Sequence, residues 1–280
     1  MKKIVLCLAI ALSSMVVSAQ VTTPQPSPSA KIDQTIGLTD VTVEYSRPSM
    51  KGRTIYGDLV PYDKLWRTGA NKNTQITFGD DVKVGGKELK KGSYAIFTKP
   101  GKDNWEVIFY ADTNNWGTPQ KWDDSKVAAK FMAKPQELPM QVETFTIMFN
   151  DFTMNSANMF ILWSNVEVPV KIEVPSKEKA MKSIEAVMAG PSANDHYQAA
   201  TFYKEVGELD KAKEHIEKAI AMRTEPAFWY HRQQSLIYAA KGNKDEAIKA
   251  AKTSLELAEK AGNADYVKLN KDSLAEWGAK

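Results

Sequence analysis

Apolar residues recur at every second position as far as Val174 and at every third or fourth position beyond it, so the change of period at Pro175 divides the chain into two kinds of structure. Upstream, Val41, Val43 and Tyr45 alternate with Thr42 and Glu44, and Phe145, Ile147 and Phe149 alternate with Thr144 and Thr146. Val166, Val168, Val170, Ile172 and Val174 form the longest such row. Alternation turns one face of a strand to a core and the other to water. Turn residues punctuate the rows. Gly85-Gly86 predicts a hairpin joining Val82–Val84 to a segment ending at Gly92, and Pro100-Gly101 predicts one joining Ser93–Thr98 to Trp105–Tyr110. Pro169 cannot donate to a ladder, which predicts that its strand lies at a sheet edge. About eight or nine short strands with no helical period between them predict an all-β domain over residues 31–174, a two-sheet sandwich or jelly roll.

Downstream, Ser176 is placed to cap a helix that puts Ala180, Ile184 and Val187 on one face and stops at Gly190-Pro191. YKEVGELDKAKEHIEKAI from Tyr203 and YAAKGNKDEAIKAAKTSL from Tyr238 then align at a spacing of 35 residues, matching Gly207 with Gly242 and Ala212 with Ala247. A glycine between helices and a small alanine inside the next resemble the tetratricopeptide pattern. The first-helix tryptophan of that pattern is absent here, and the spacing is one residue long. Residues 176–280 are therefore expected to form an all-α domain of helical hairpins, with Ser176–Ala189 leading in and Asp265–Trp277 capping.

The chain opens MKKIVLCLAIALSSMVVSAQ: two lysines, an apolar stretch and small residues before Gln20 read as a signal peptide over residues 1–19. Its removal takes away Cys7, the single cysteine, so neither a disulfide nor a thiol nucleophile is expected afterwards. It also takes away Lys2 and Lys3, reducing the net charge from +3 to +1, too near neutral for nucleic acid to be an expected partner. No later apolar run is long enough to cross a bilayer. Residues 20–30 carry Pro24, Pro26 and Pro28 and read as an extended, solvated tether. The expected location is the periplasm or outer surface of a Gram-negative-type envelope.

No residue is assigned a catalytic role, and no cofactor or metal site is expected. His196, His215 and His231 share no helix turn, and each reads as a helix-surface or packing residue. Ser176 and Lys179 fit an S-x-x-K spacing, but without the motifs that accompany it in acyl enzymes. Carboxylates such as Asp58, Asp63, Glu106 and Asp123 are scattered, and sequence cannot supply the separation an acid/base pair needs. The densest chemistry lies in SRPSMKGRTIYGDLVPYDKLWRTGAN, residues 46–71, where five cations stand among Tyr56, Tyr62 and Trp66. Arg47, Lys51, Arg53, Trp66, Arg67 and Asn71, with Trp116 of a second irregular stretch, form the candidate ligand-binding set. Arginine forks can take a carboxylate or sulfate, and aromatic faces can stack on sugars. The competing reading assigns most of these residues to bracing: the arginines satisfy carbonyls of their own loop and Trp66 pins it. Trp116 and Trp122 either line a pocket with this loop or cover an open end of the sandwich.

That segment, followed by VKVGGKELKKGSYAIFTKPGKDNWEVIFY and NNWG, resembles the exported bacterial domain of unknown function DUF2911 over about residues 30–174. The resemblance implies an exported β domain and no particular reaction. The expected function is a binding protein: the β domain holds a small polar or anionic ligand, a glycan or peptide, and the repeats dock a protein partner. A carboxylate-dependent hydrolase and a purely structural assembly factor of the envelope are the alternatives.

Overall fold

The alternating rows form ten strands among the residues that the computed structural model describes, 23–188 and 190–279; the leader lies outside them. β1 (Ser29–Ile36), β2 (Thr39–Ser46), β3 (Thr74–Phe78), β6 (Gly92–Lys99), β7 (Trp105–Tyr110) and β8 (Val127–Ala133) make a six-stranded sheet in the order β1-β2-β3-β6-β7-β8. β4 (Val82–Val84), β5 (Lys87–Leu89), β9 (Gln136–Asn150) and β10 (Ser156–Glu173) make a second sheet in the order β5-β4-β10-β9. The all-β first half expected from period two is thus a two-sheet structure, and both predicted hairpins are present.

Burial follows the alternation where one face meets the core: β2 buries Val41, Val43 and Tyr45, and β3 buries Ile76 and Phe78. β6 and β7 depart from it. Tyr94–Thr98 are all buried, as is every residue of β7 except Glu106. The cause is a second apolar layer, in which Leu65, Trp122 and Val127 pack on Ala95, Phe97, Ile108 and Tyr110. Trp122 stacks on Tyr110 at 4.4 Å, so it covers the sheet instead of lining a pocket with the basic loop. Close approach elsewhere requires glycine. Gly85 and Gly86 form the two-residue turn between Val84 and Lys87 with φ of 53° and 77°, and a Cβ on Gly85 would lie 2.3 Å from the Phe131 ring.

Two expectations about backbone fail for reasons of context. β10 lies between β4 and β9, so Pro169 is not on an edge strand. The β9 ladder ends at Glu167 paired with Gln136, and past it the missing N–H leaves no β9 bond broken. The last residues of the proline segment are not a free tether either: Pro28 O accepts from Arg47 N at 2.9 Å, and Ser27 O accepts from Asn71 Nδ2 at 3.3 Å.

After Pro175 come six helices: α1 (Ser176–Val187), α2 (Ala193–Glu205), α3 (Leu209–Ala221), α4 (Phe228–Ala240), α5 (Lys244–Lys260) and α6 (Ala264–Glu276). α2 packs on α3 and α4 on α5, with buried Ala212, Ala219, Ala247, Ala250 and Ala251 keeping the helices close. Ser192 and Asp195 make a reciprocal capping box at the start of α2. Gly207 and Gly242, the aligned glycines, end α2 and α4 with φ of 78° and 80°. In each, the N–H after the glycine bonds the carbonyl of the matched tyrosine, Glu208 to Tyr203 and Asn243 to Tyr238, as a Schellman motif requires. Ser176 does not cap its own helix. Pro175 occupies the cap position, and Ser176 Oγ accepts from Leu38 N at 3.0 Å. Lys179 Nζ donates to Leu38 O, so both residues of the S-x-x-K spacing are engaged by one turn. Contacts divide the chain into two compact units. One holds the described residues up to 34 with 40–151 and 158–172; the other holds the described residues of 173–280 with the segments 35–39 and 152–157, two turns and the strand ends beside them.

Candidate functional site

The chain from Ser46 to Thr74 crosses between β2 and β3 with almost no regular structure, so its polar backbone needs partners from elsewhere. Its arginines supply several. Arg47 Nε donates to Phe145 O at 3.1 Å and its Nη2 to Thr146 Oγ1 at 2.8 Å, fastening the start of the loop to β9. Arg53 Nε and Nη2 donate to Met50 O and Ser49 O at 2.8 and 2.6 Å. Arg67 Nη1 donates to Asn71 O at 3.1 Å. Among the described residues, none of Arg47, Lys51, Arg53, Lys64 and Arg67 forms an ion pair with a carboxylate. Glu143 reaches the loop through the backbone, accepting from Lys51 N at 2.9 Å.

Trp66 holds the middle of the loop. Its backbone exchanges hydrogen bonds with Thr98 at 2.8 and 2.9 Å, in the place beside β6 that β3 leaves open by starting at Thr74 opposite Ile96. Its ring stacks on Trp163 at 5.9 Å and meets Tyr56, Trp105 and Phe145 edge-on, while Nε1 donates to Gly69 O. Trp163 stands where the β9–β10 register shifts between Leu162 and Ser164, with Ser164 at φ 57°, a bulge that re-aims its neighbour. Burial leaves the Tyr56 hydroxyl without a hydrogen-bond partner among the described residues and pushes the phenol well above its ordinary value.

These elements enclose a cleft of about 330 Å³. Lys51, Arg53 and Arg67 supply its charge; Leu59, Val60, Pro48, Trp66 and Trp163 supply apolar wall; Gly69 and Ala70 supply backbone. Ser49, and Pro26 and Ser27 from just before β1, also line it, and no aspartate or glutamate is among the described lining residues. The backbone around Arg67 is strained. Thr68 is buried at φ 55°, a conformation costing about 1–2 kcal/mol for a residue with a Cβ. It is held there by Thr74 Oγ1 donating to its carbonyl and by a 3.1 Å bond between the Thr68 and Thr98 hydroxyls. Gly117 sits against the guanidinium: a Cβ there would lie 2.9 Å from Arg67 Nη1.

Of the seven candidate residues, the cleft thus gathers Lys51, Arg53, Trp66 and Arg67. Asn71, at φ 59°, is a turn residue that braces Arg67 through its carbonyl. Arg47 is bonded to β9 and is not among the residues that line the cleft. Trp116 is 78% exposed and lies outside the cleft; its contribution is a backbone bridge to Lys72. Sequence reasoning missed Pro26, Ser27, Leu59, Val60 and Trp163. Only Trp163 carried a signal, as a large aromatic at a core position of an alternating row. It also missed a pair in the helical unit: His196 of α2 and His215 of α3 share an Nδ1–Nδ1 hydrogen bond of 2.9 Å. Desolvation, first, lowers both histidine pKa values. No group of three or more metal-ligating side chains occurs among the described residues.

Of the scattered carboxylates, Glu106 pairs with Lys99 at 2.8 Å and Asp123 caps a short 3-10 turn through Ser125; Asp112 and Asp81 are held below the usual carboxylate range chiefly by hydrogen bonds from Lys126 and Lys90. No aspartate or glutamate is among the described residues that line the cleft, and the Glu143 carboxylate lies 2.9 Å from the Lys51 N–H.

A two-sheet β unit with a basic, carboxylate-free cleft in a long irregular loop, followed by helical hairpins, is the class these features define. The family model for a protein of unknown function, DUF2911, matches residues 27–172, and the chain belongs to that family. No curated protein matches the chain.

Proposed function

We propose that this chain is an exported binding protein whose β unit holds a small polar or anionic ligand and whose helical unit, read as tetratricopeptide-like repeats, docks a protein partner. The observation that carries the ligand half is the cleft, where Lys51, Arg53 and Arg67 meet apolar wall with no carboxylate to neutralise them. An anion supplies the missing counter-charge, and the cleft volume of about 330 Å³ is near the lower end of ligand pockets, roughly 300–1,000 Å³. The export half rests on the leader-like residues 1–19.

A thermal-shift series with acetate, sulfate, acidic sugars and short peptides tests the ligand half, because a ligand that binds only the folded state raises its melting temperature. At least one anion should do so, and the double variant Arg53→Gln/Arg67→Gln, folded by circular dichroism, should lose the response. A flat response across the whole series rejects the ligand half. Fractionation of cells expressing the full chain tests export: the periplasmic or surface fraction should contain it, and retention in the cytoplasm rejects that half.

A further inference from the structure

Resting on that reading of the cleft, we infer that its ligand is a peptide end: a free C-terminal carboxylate, taken by Arg67 and neighbouring donors, beside an aliphatic side chain that packs on Leu59. The guanidinium of Arg67 is fixed from one side. Nη1 is committed to Asn71 O and has Gly117 against it, which leaves the Nε–Nη2 edge without a partner among the described residues. That edge is the one a planar carboxylate engages with two parallel hydrogen bonds. Arg53 is committed through Nε and one Nη2 hydrogen, so it adds charge and its Nη1 donors. Lys51 adds an exposed ammonium. Gly69 and Ala70 also line the cleft, and their N–H groups donate to no acceptor among the described residues.

The aromatic geometry decides against a glycan. Sugar recognition uses an open ring face. Trp66 is stacked on Trp163 and ringed edge-on by Tyr56, Trp105 and Phe145, while Trp163 is 1% exposed. The exposed indole, Trp116, is outside the cleft. What remains for the body of a ligand is aliphatic: Leu59, 43% exposed, in front of the buried Val60 and Pro48. Pro26 and Ser27 line the cleft as well.

The test is titration calorimetry of the purified protein with N-acetyl-Gly-Ala-Leu bearing a free carboxylate, its C-terminal amide, the analogue ending in glycine, and glucuronate. The free acid should bind, and the amide should bind at least about tenfold more weakly, since a charged bidentate contact is lost. The glycine-ended peptide should also weaken, by roughly fourfold to tenfold for the lost aliphatic contact. Arg67→Lys should weaken the free acid while leaving the amide unchanged, because an ammonium keeps the charge but not the fork. Equal binding of acid and amide, or glucuronate binding more tightly than the peptide, overturns the peptide-end inference while anion binding stands. Binding of none of the four, with no response to acetate or sulfate, overturns both this inference and the reading it rests on.

Discussion

Replacing Gly85 by alanine isolates the close approach of the two sheets. Gly85 and Gly86 both have positive φ, so alanine at either carries the left-handed cost of about 1–2 kcal/mol, offset by about 0.4–1 kcal/mol from a stiffer unfolded chain. Gly86 has nothing within 4 Å of its Cβ position, so Gly86→Ala should cost no more than that difference. At Gly85 the same atom would meet three atoms of the Phe131 ring at 2.3–2.5 Å. Phe131 cannot swing aside without leaving Phe109, on which it stacks at 6.2 Å, so an overpacking cost of about 1–3 kcal/mol is added. Gly85→Ala should therefore destabilise the β unit by about 1–3 kcal/mol more than Gly86→Ala, read as a shift in urea midpoint by tryptophan fluorescence. Phe131→Ala is destabilising alone, but combined with Gly85→Ala it should return most of that excess, a coupling visible in a double-mutant cycle. Equal midpoints for the two alanine variants, or no coupling to Phe131, would refute the claim that this turn is glycine for reasons of space.

Two further outcomes follow from side-chain placement. The His196–His215 bond needs one proton between two nitrogens. Desolvation lowers both pKa values; Lys218 reinforces it and Glu214 opposes it at both rings, while His196 adds to the lowering at His215 and Asp195 opposes it at His196. Because the folded values lie below the unfolded one of about 6.5, the pair's contribution is complete above that pH and is lost as pH falls beneath it. Far-UV circular dichroism should show the helical unit's urea midpoint flat near pH 8 and falling below about pH 6.5, less steeply in His215→Gln. Arg47→Ala should cost the β unit about 1.5–3 kcal/mol through its two lost bonds to β9, yet leave ligand affinity unchanged; a loss of affinity at unaltered stability would place Arg47 in the site instead.

The division at Pro175 was legible because a period of two and a period of three to four cannot coexist in one element. What alternation does not encode is which strands become neighbours. Pro169 was placed at an edge from its own chemistry, whereas the position of β10 is set by β4 and β9 from elsewhere in the chain. The Ser176 hydroxyl was equally well suited to its own helix and to the distant Leu38 N–H, and only the tertiary fold chooses between them. The four cleft residues foreseen came from one loop, where proximity in sequence guaranteed proximity in space; Pro26 and Trp163 had no such link to it. The histidine pair was hidden because α2 and α3 fold back at Gly207, bringing residues 19 apart into contact without a shared turn.

The boundary between the two compact units is not a single cut. Residues 35–39 and 152–157 are turns of the strand-forming half by sequence, yet they cluster with 173–280, and Leu38 is bonded through both its N–H and its carbonyl to the first turn of α1. A gene segment ending at Val174 would encode β turns stripped of their partners, and one beginning at Ser176 would encode a helix start with its anchor missing. Because those two turns belong with the helices, any graft or swap of the helical half onto another scaffold has to carry them with it.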